Sequence, residues 1–182
     1  MGRSDFGRML GQEIPRLRRY ALSLTRDSVR ADDLVQSTLV RALAKSHLWQ
    51  PGTNLRRWLF TILHNQRVSE VRQMIREQRA LADERVAALS PVSSDPTTRI
   101  ALLELDRAIA VLPEARRQVV LLIGLEEMPY GEVGDILGVP VGTVRSRLPR
   151  ARETLRRTFL TEAQIEKPVS RNDGARYERI AA

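Results

Sequence analysis

Side chains that can donate hydrogen bonds to a nucleic acid lie close together between residues 143 and 150. They are Thr143, Arg145, Ser146, Arg147 and Arg150. A guanidinium group can hold a guanine with two hydrogen bonds or bind a phosphate, and a Ser or Thr hydroxyl can pair with several base edges. The chemistry that this cluster favours is therefore recognition of nucleic acid.

The elements that would position this cluster form a predicted helix-turn-helix. Gly138 ends the first helix, and Pro140 with Val141 opens the second. The first helix is predicted from apolar or aromatic residues at helical spacing, namely Tyr130, Val133, Ile136 and Leu137. The second has an apolar stripe formed by Val144, Leu148, Ala151 and Leu155. In this motif the early residues of the second helix enter the major groove of DNA.

Positive charge is concentrated in the second helix of the motif. Residues 141–157 contain six Arg against one acid, Glu153, whereas residues 98–140 contain four Arg against seven acids. The whole chain has a formal net charge of +8 and a pI of about 11.0, which favours a polyanionic partner. A solvated charged face is the alternative for any Arg-rich helix, but the ordered break, turn and restart favour DNA.

The rest of the sequence offers little catalytic chemistry. His47 and His64 are the only two histidines, and neither belongs to a metal-ligand spacing. The absence of Cys excludes thiolate metal sites and thiol nucleophiles. The adjacent acids at 32–33 and at 126–127 would diverge on a helix, so a solvated face or a partner contact is the interpretation for both. We therefore expect no enzymatic activity, no metal and no cofactor.

Three amphipathic helices are predicted in a first domain, residues 10–80. Apolar residues recur at helical spacing over 14–24, over 34–43 and from about residue 54 onward. The Pro-Gly punctuation within 46–54 predicts a loop before the third helix. Asp27 or Ser28 is expected to cap the second helix, with Asp32 and Asp33 in its first turn.

The composition changes after this domain. A Ser, Pro and Thr-rich run predicts a flexible linker at 81–98, followed by a second helical domain at 99–160. Within it, Pro113 in Leu112-Pro-Glu is expected in the first turn of a helix. The polar residues 161–182 are expected to form a disordered tail. The predicted fold class is all-α, with two small helical domains joined by a flexible linker and a helix-turn-helix in the second.

The sequence resembles the ECF (extracytoplasmic function) class of bacterial RNA polymerase sigma factors over nearly all of residues 10–160. The residue runs 21–26 and 49–55 resemble the sequences of the subgroup that controls the general stress response in alphaproteobacteria. The matching motifs occur in the family's order and spacing. They are Ala31-Asp-Asp-Leu-Val-Gln36 with Ala42-Leu43, the run 51–62 with Asn65, Leu112-Pro-Glu, and the run 139–148 with Arg150-Ala-Arg152.

The resemblance implies a contact between the second helix and core RNA polymerase. It would involve Asp32, Asp33, Gln36 and Leu39. This role competes with helix capping for the two acids, although both can coexist because one carboxylate can stabilise its own helix and also meet a partner Arg.

The resemblance also implies that the first domain recognises the minus-ten promoter element and helps to melt it. This requires Arg side chains for phosphates and a pocket for a base taken out of the stack. Anchoring of the loop is the alternative for Trp49, and core packing is the stronger interpretation for Trp58. The residues implied are His47, Asn54, Arg56, Arg57, Thr61, His64 and Asn65.

The resemblance assigns recognition of the minus-thirty-five element to the cluster at 143–150. Pro149 departs from the family pattern there, because a Pro inside a helix deletes a hydrogen bond and clashes with the preceding turn. Either the helix tolerates a kink or the residues from Arg150 onward are redirected. Of the DNA contacts that the resemblance implies, the contact of Arg150 is therefore the one that Pro149 affects most.

The function implied is that of a promoter-specificity subunit. Such a protein binds core polymerase, directs transcription initiation and, in this subgroup, serves stress genes under the control of an anti-sigma protein. We expect a cytoplasmic location and no membrane contact, since no leader or membrane-spanning run is found. One alternative is a sigma-like decoy that sequesters an anti-sigma protein, although no receiver-like alternation of strands and helices accompanies the motifs. A stand-alone helix-turn-helix regulator would leave residues 10–80 without a purpose.

Overall fold

A computed structural model describes residues 3–80 and 107–165 of the chain. Every regular element in these two ranges is a helix, which confirms the all-α prediction. The predicted linker at 81–98 and residues 166–182 of the predicted tail lie outside the described residues. The first residues of the predicted second domain, 99–106, lie outside them as well. The expectation of disorder was wrong for residues 161–165, because the last helix of the second domain continues through them.

The first domain has three long helices. They are α1 (Arg3–Thr25), α2 (Ser28–Ala44) and α3 (Leu55–Ala80), with a short 3-10 turn at Ser46–Leu48 before α3. Helix α1 begins well before residue 14, because Phe6 and Leu10 extend its buried face. The Phe6 ring lies 5.3 Å from the Trp49 ring, so the start of α1 packs against the loop that precedes α3.

The start of α2 is capped by Asp27, one of the two residues expected to cap it. Asp27 Oδ1 accepts hydrogen bonds from the backbone N–H groups of Val29 and Arg30, at 2.9 and 3.1 Å. The expectation for Asp32 and Asp33 was wrong, because α2 begins at Ser28 and its first turn contains no acid. Both carboxylates lie beyond the reach of the four free N–H groups at the helix start.

The second domain is built from short helices and one long one. A helical stretch at 107–111 precedes α4 (Glu114–Val120), which continues directly into a π-helical turn at Leu121–Leu125. Then follow α5 (Tyr130–Leu137) and α6 (Val141–Ile165). The core of this domain consists of fully buried or nearly buried side chains, including Leu112, Val119, Leu122, Val133, Ile136, Val144 and Leu148.

The turn between α5 and α6 has the geometry that the sequence predicts. Gly138 adopts the left-handed conformation, with φ 62°, and ends α5. Gly134 faces the turn so closely that a Cβ atom built on it would lie 2.9 Å from the Val139 carbonyl oxygen. The absence of a side chain at Gly134 therefore allows the turn to fold back on α5.

Helix α6 runs through Pro149 without ending. It continues to Ile165, so the redirection considered for Arg150 does not involve a break in the helix. The carbonyl of Arg145, one turn earlier, lacks the backbone N–H donor that any residue other than Pro would supply at position 149. In the described ranges, no helix is both long and apolar enough to cross a membrane.

The two domains contact each other. Helices α1 and α3 of the first domain meet α4, the π-helical turn and α5 of the second. Their buried apolar residues belong to one continuous cluster. The first domain therefore meets the second through the first helix of the helix-turn-helix and the segment before it.

Candidate nucleic-acid and polymerase interfaces

The predicted DNA-reading residues of α6 lie on the side of the helix away from the core. Val144, Leu148 and Ala151 are buried and fix the orientation of the helix. The remaining side chains divide into an exposed group and a half-buried group. Arg145, Ser146 and Arg150 are exposed, and Thr143 and Arg147 are half-buried.

The arginines of this face are available for a ligand. In the part of the chain that the structure describes, Arg145, Arg147 and Arg150 form no ion pair with an acid. Ser146 Oγ donates to the Thr143 carbonyl oxygen at 3.0 Å and could also accept from a base. A surface with three unpaired guanidinium groups on one rigid helix can hold phosphates and base edges.

A shallow cleft of about 400 Å³ lies beside Pro149, between α4 and α6. Arg116 of α4 lines it together with Arg150. Sequence reasoning missed Arg116, because it lies more than thirty positions before Arg150 and its own helix has mixed charge. The structure thus adds one cation from a second helix to this basic surface.

Residues around the start of α3 form a second site. Asn54 caps the helix, since its Oδ1 accepts from the backbone N–H of Arg57 at 3.0 Å. Asn54, Arg57, Trp58 and Thr61 line a pocket of about 350 Å³. Aromatic, amide, hydroxyl and guanidinium groups around one pocket could hold an unstacked base and its phosphate.

Acidic side chains of the second domain contact this second site. Asn54 Nδ2 donates to Glu132 Oε1 at 2.9 Å, and Arg57 Nη1 lies 2.8 Å from Asp135 Oδ2. Asp135 also lines the pocket. The side chains predicted to meet DNA are therefore paired with carboxylates of α5 in this conformation.

Glu126 is a buried acid at the contact between the domains. Its side chain is 0% exposed and its carboxylate pairs with two arginines of the first domain. Arg19 Nη2 lies 2.7 Å from Oε1, and Arg56 Nη2 lies 2.9 Å from Oε2 and also contacts the Glu126 carbonyl oxygen. Neither a solvated face nor a contact with a partner protein, the two interpretations considered for the acids at 126–127, describes Glu126, because it is buried and pairs within the chain. Glu127 is exposed, as a solvated face requires.

The remaining residues predicted for the minus-ten element do not join the pocket lining. His47 and Asn65 are exposed, in the 3-10 turn and on α3. His64 is partly buried, and its Nδ1 has no hydrogen-bond partner among the described residues. Burial lowers the pKa of His64, and the nearby charge of Glu114 partly offsets this effect.

The two tryptophans near the pocket have different environments. Trp49 is buried against Phe6, which agrees with anchoring of the loop rather than exposure to a ligand. Trp58 is only half-buried, and its ring lies 6.4 Å from that of Phe6. Part of Trp58 therefore packs inward while the rest forms a wall of the pocket.

The residues predicted to meet core polymerase lie together on α2. Asp33 and Gln36 are exposed and Leu39 is half-buried. Asp32 accepts from Arg18 Nε at 2.6 Å and from Arg18 Nη2 at 3.2 Å. The hydrogen bond from Arg18 lowers the pKa of the Asp32 carboxyl. Arg18 of α1 thus orients a carboxylate that the sequence alone placed without a partner.

No metal centre is found in the described ranges. Groups of three or more His, Cys, Asp or Glu side chains with the geometry to hold an ion are absent from those residues. The chemistry that the arrangement supports is binding through Arg, Asn, Thr and carboxylate side chains.

Comparison with known proteins identifies the family of both domains. Residues 10–64 match the family model described as the sigma2 domain of PhyR, and residues 102–155 match sigma-70, region 4. The chain is 41% identical over 142 residues to the ECF RNA polymerase sigma factor EcfG of Rhodopseudomonas palustris (strain TIE-1), covering 78% of both chains. It is 30% identical over 168 residues to the RNA polymerase sigma factor CarQ of Myxococcus xanthus, covering 88% of this chain and 92% of CarQ.

A solved structure agrees with these sequence relatives. The sigma factor RpoE, in complex with the anti-sigma factor NepR from Bartonella quintana, superimposes with a TM-score of 0.76 and is 33% identical. The match covers 87% of this chain and 98% of RpoE. With two matching domains, a full-length relative and a matching fold, the chain belongs to the ECF family of bacterial RNA polymerase sigma factors.

Proposed function

We propose that this sigma factor reads the minus-thirty-five element with the basic face of α6, which we call the reading face. The observation that carries this assignment is the set of unpaired cations, Arg145, Arg147 and Arg150, on the outer side of the second helix of a helix-turn-helix. Arg145 and Ser146 lie in the first two turns, which are the part of such a helix that enters the major groove. Arg150 and Arg116 lie further along, where contact with phosphates fits their position beside the cleft.

The pocket at the start of α3 is assigned to the minus-ten element. Thr61 and Trp58 supply a hydroxyl and an aromatic wall for a base, and Arg57 supplies a cation for the adjoining phosphate. Arg56 is the second cation at the start of α3. His47 and Asn65 are proposed as flanking contacts, and His64 as a supporting residue, because its ring is partly buried.

The exposed side of α2 is assigned to core RNA polymerase. Asp33 and Gln36 offer an acidic, polar surface for a basic partner, with Leu39 at its apolar border. Asp32 joins this surface through the oxygen lone pairs that its bond to Arg18 leaves free.

The domain limits fit these assignments. Residues 10–80 would bind polymerase and the minus-ten element, and residues 99–160 would bind the minus-thirty-five element. The intervening residues, 81–98, would connect the two domains while they bind elements that are separated along the DNA.

Regulation by an anti-sigma protein in a stress response is proposed as well. The support is that RpoE of Bartonella quintana was crystallised with the anti-sigma factor NepR and shares the fold of this chain. We also propose that the chain acts in the cytoplasm, where polymerase and chromosomal DNA are found, and that it catalyses no bond chemistry itself.

The direct test of the reading face is the double substitution Arg145→Ala with Arg147→Ala. Loss of two contacts at about 1–3 kcal/mol each predicts promoter binding by the holoenzyme at least about 30-fold weaker. Binding to core polymerase should not change, since α2 lies in the other domain. Arg156→Ala with Arg157→Ala is the matched control, because both arginines lie on α6 but beside Glu153.

The two measurements are an electrophoretic mobility assay on a mapped promoter and co-elution with core polymerase on a sizing column. Equal loss of both activities in the Arg145/Arg147 variant would contradict separate surfaces. Equal weakening of promoter binding by the control pair would contradict the assignment to the start of α6.

A decoy that sequesters an anti-sigma protein is the second candidate, favoured by the match of residues 10–64 to a domain of PhyR. A decoy has no use for an unpaired basic face on α6 and would not direct transcription by core polymerase. Transcription assays with the purified chain therefore separate the two candidates.

A further inference from the structure

Three carboxylates of the second domain form one edge that meets the first domain. We call this set the acidic edge: Glu126, Glu132 and Asp135. Its partners at the start of α3 are Asn54, Arg56 and Arg57, which we call the DNA edge. The contacts join residues that lie 70 to 78 positions apart in the chain. Each member of the DNA edge contacts one member of the acidic edge.

The acidic edge uses the same chemistry that a nucleic acid would offer. Arg57 lies 2.8 Å from Asp135, and Asn54 donates to Glu132. A guanidinium that is engaged with a carboxylate at this distance has lost donors that a phosphate would require. Asp135 also lines the pocket assigned to a base, so its carboxylate would lie beside that base. Carboxylate and DNA therefore cannot occupy the DNA edge at the same time.

The ion pairs between the domains differ in their exposure to water. Glu126 is fully buried between Arg19 and Arg56, where water does not screen its charge. Arg57 and Asp135 are 45% and 62% exposed, so this pair is weak and sensitive to salt. The buried pair would hold the domains together, and the exposed contacts would cover the pocket.

The reading face of α6 is not part of this contact. Arg145, Ser146 and Arg150 remain exposed while the DNA edge is covered. The same conformation thus covers one candidate DNA surface and leaves the other open. This asymmetry distinguishes a specific intramolecular contact from a general attraction between a basic and an acidic domain.

We propose that the acidic edge is an intramolecular substitute for DNA, which holds the free protein closed and competes with the minus-ten strand for the DNA edge. The proposal rests on the assignment of the DNA edge to that strand under "Proposed function". It adds that the second domain must move away from α3 before the first domain can bind its element, whereas duplex DNA can reach α6 beforehand.

The first arm of the test measures the distance between domains without DNA. The chain contains no Cys, so Arg41→Cys on α2 and Arg152→Cys on α6, both exposed positions, can be spin-labelled selectively. Double electron–electron resonance should give one narrow distance in the otherwise unchanged chain. Adding Glu126→Gln, which removes the charge that pairs with Arg19 and Arg56, should populate longer distances. Glu127→Gln should not, because Glu127 lies outside the contact.

The second arm measures binding of a fluorescent single-stranded 20-mer of random sequence by anisotropy at low salt. Asp135→Asn should tighten binding about twofold to fivefold, the range expected for release of an exposed pair, and the Glu132/Asp135 double variant about tenfold. Glu127→Gln makes the same change in net charge as Asp135→Asn. It should leave the affinity within about 1.5-fold of the unchanged chain, since only general attraction changes.

The outcomes separate this proposal from the proposed function. Distances that are identical in all variants would overturn the closed state, as would equal tightening by Asp135→Asn and Glu127→Gln. Longer distances in Glu126→Gln, together with selective tightening in the Glu132/Asp135 double variant, would support it. If these two results occur but no variant directs transcription with core polymerase, the closed state stands and the proposed function is overturned.

Discussion

At the scale of single residues, two neighbouring acids near the contact between the domains differ in role because they differ in burial. Glu126 and Glu127 are neighbours of the same type, but one is fully buried between two arginines and the other is exposed. Burying a carboxylate is costly unless cations and hydrogen bonds compensate for its lost hydration. Arg19 and Arg56 supply that compensation from the first domain.

His64 is a second residue whose burial has a consequence that can be measured. Its pKa is lowered by burial from the ordinary value of 6.5, so the folded state binds a proton less readily than the unfolded chain. The stabilisation is complete above pH 6.5 and is lost as the pH falls below that value. From pH 7.5 to pH 5.5, the free energy of unfolding measured with urea should therefore decrease less for His64→Gln than for the unchanged chain. An equal decrease in both proteins would contradict this role.

At the scale of elements, the turn of the helix-turn-helix depends on the missing side chain of Gly134. Gly134→Ala places a Cβ atom 2.9 Å from the Val139 carbonyl oxygen, and backbone atoms of the turn cannot move away easily. We expect a loss of about 1–3 kcal/mol in the free energy of unfolding, which is typical of overpacking. The measurement is urea unfolding followed by circular dichroism.

Gly131→Ala is the matched control for this prediction. It lies on the same helix, and a Cβ atom there would meet no atom within 4 Å. The substitution should be neutral or stabilising by up to about 1 kcal/mol, because Ala is the better helix former. Similar losses for both variants would show that close approach at Gly134 is not the cause.

Most of the elements could be predicted from the sequence, because they follow from local rules. Helical spacing of apolar residues gives α2, α5 and α6, and Gly138 and Asp27 give the ends of two helices. The early start of α1 was missed because Phe6 is buried against Trp49, a contact across more than forty positions. The π-helical turn at Leu121–Leu125 has no signal in the sequence that we recognise.

The candidate sites were predictable to a lesser degree. The basic face of α6 is local, since all of its residues lie within one helix and alternate with the buried stripe. Arg116 and Arg18 were missed, because each becomes relevant only through a residue of another helix. Pairing of the DNA edge with α5 depends on the arrangement of two domains, which no periodicity encodes.

At the scale of the whole molecule, the two candidate DNA surfaces differ in accessibility. The reading face of α6 is open, whereas Asn54 and Arg57 at the start of α3 are paired with Glu132 and Asp135. A sigma factor with this arrangement would be kept from binding the minus-ten strand until polymerase or promoter DNA separates its domains. The buried Glu126 contact makes that separation costly, and the exposed pairs make it sensitive to salt.

The most direct test of the central claim is transcription by core RNA polymerase from the same source, with the purified chain and genomic DNA, followed by mapping of the transcript start sites. The account predicts new start sites that share two upstream motifs at a fixed spacing, and their disappearance with the Arg145/Arg147 variant. Absence of new start sites, with a core enzyme that is active with another sigma factor, would contradict the assignment of this chain as a promoter-specificity subunit.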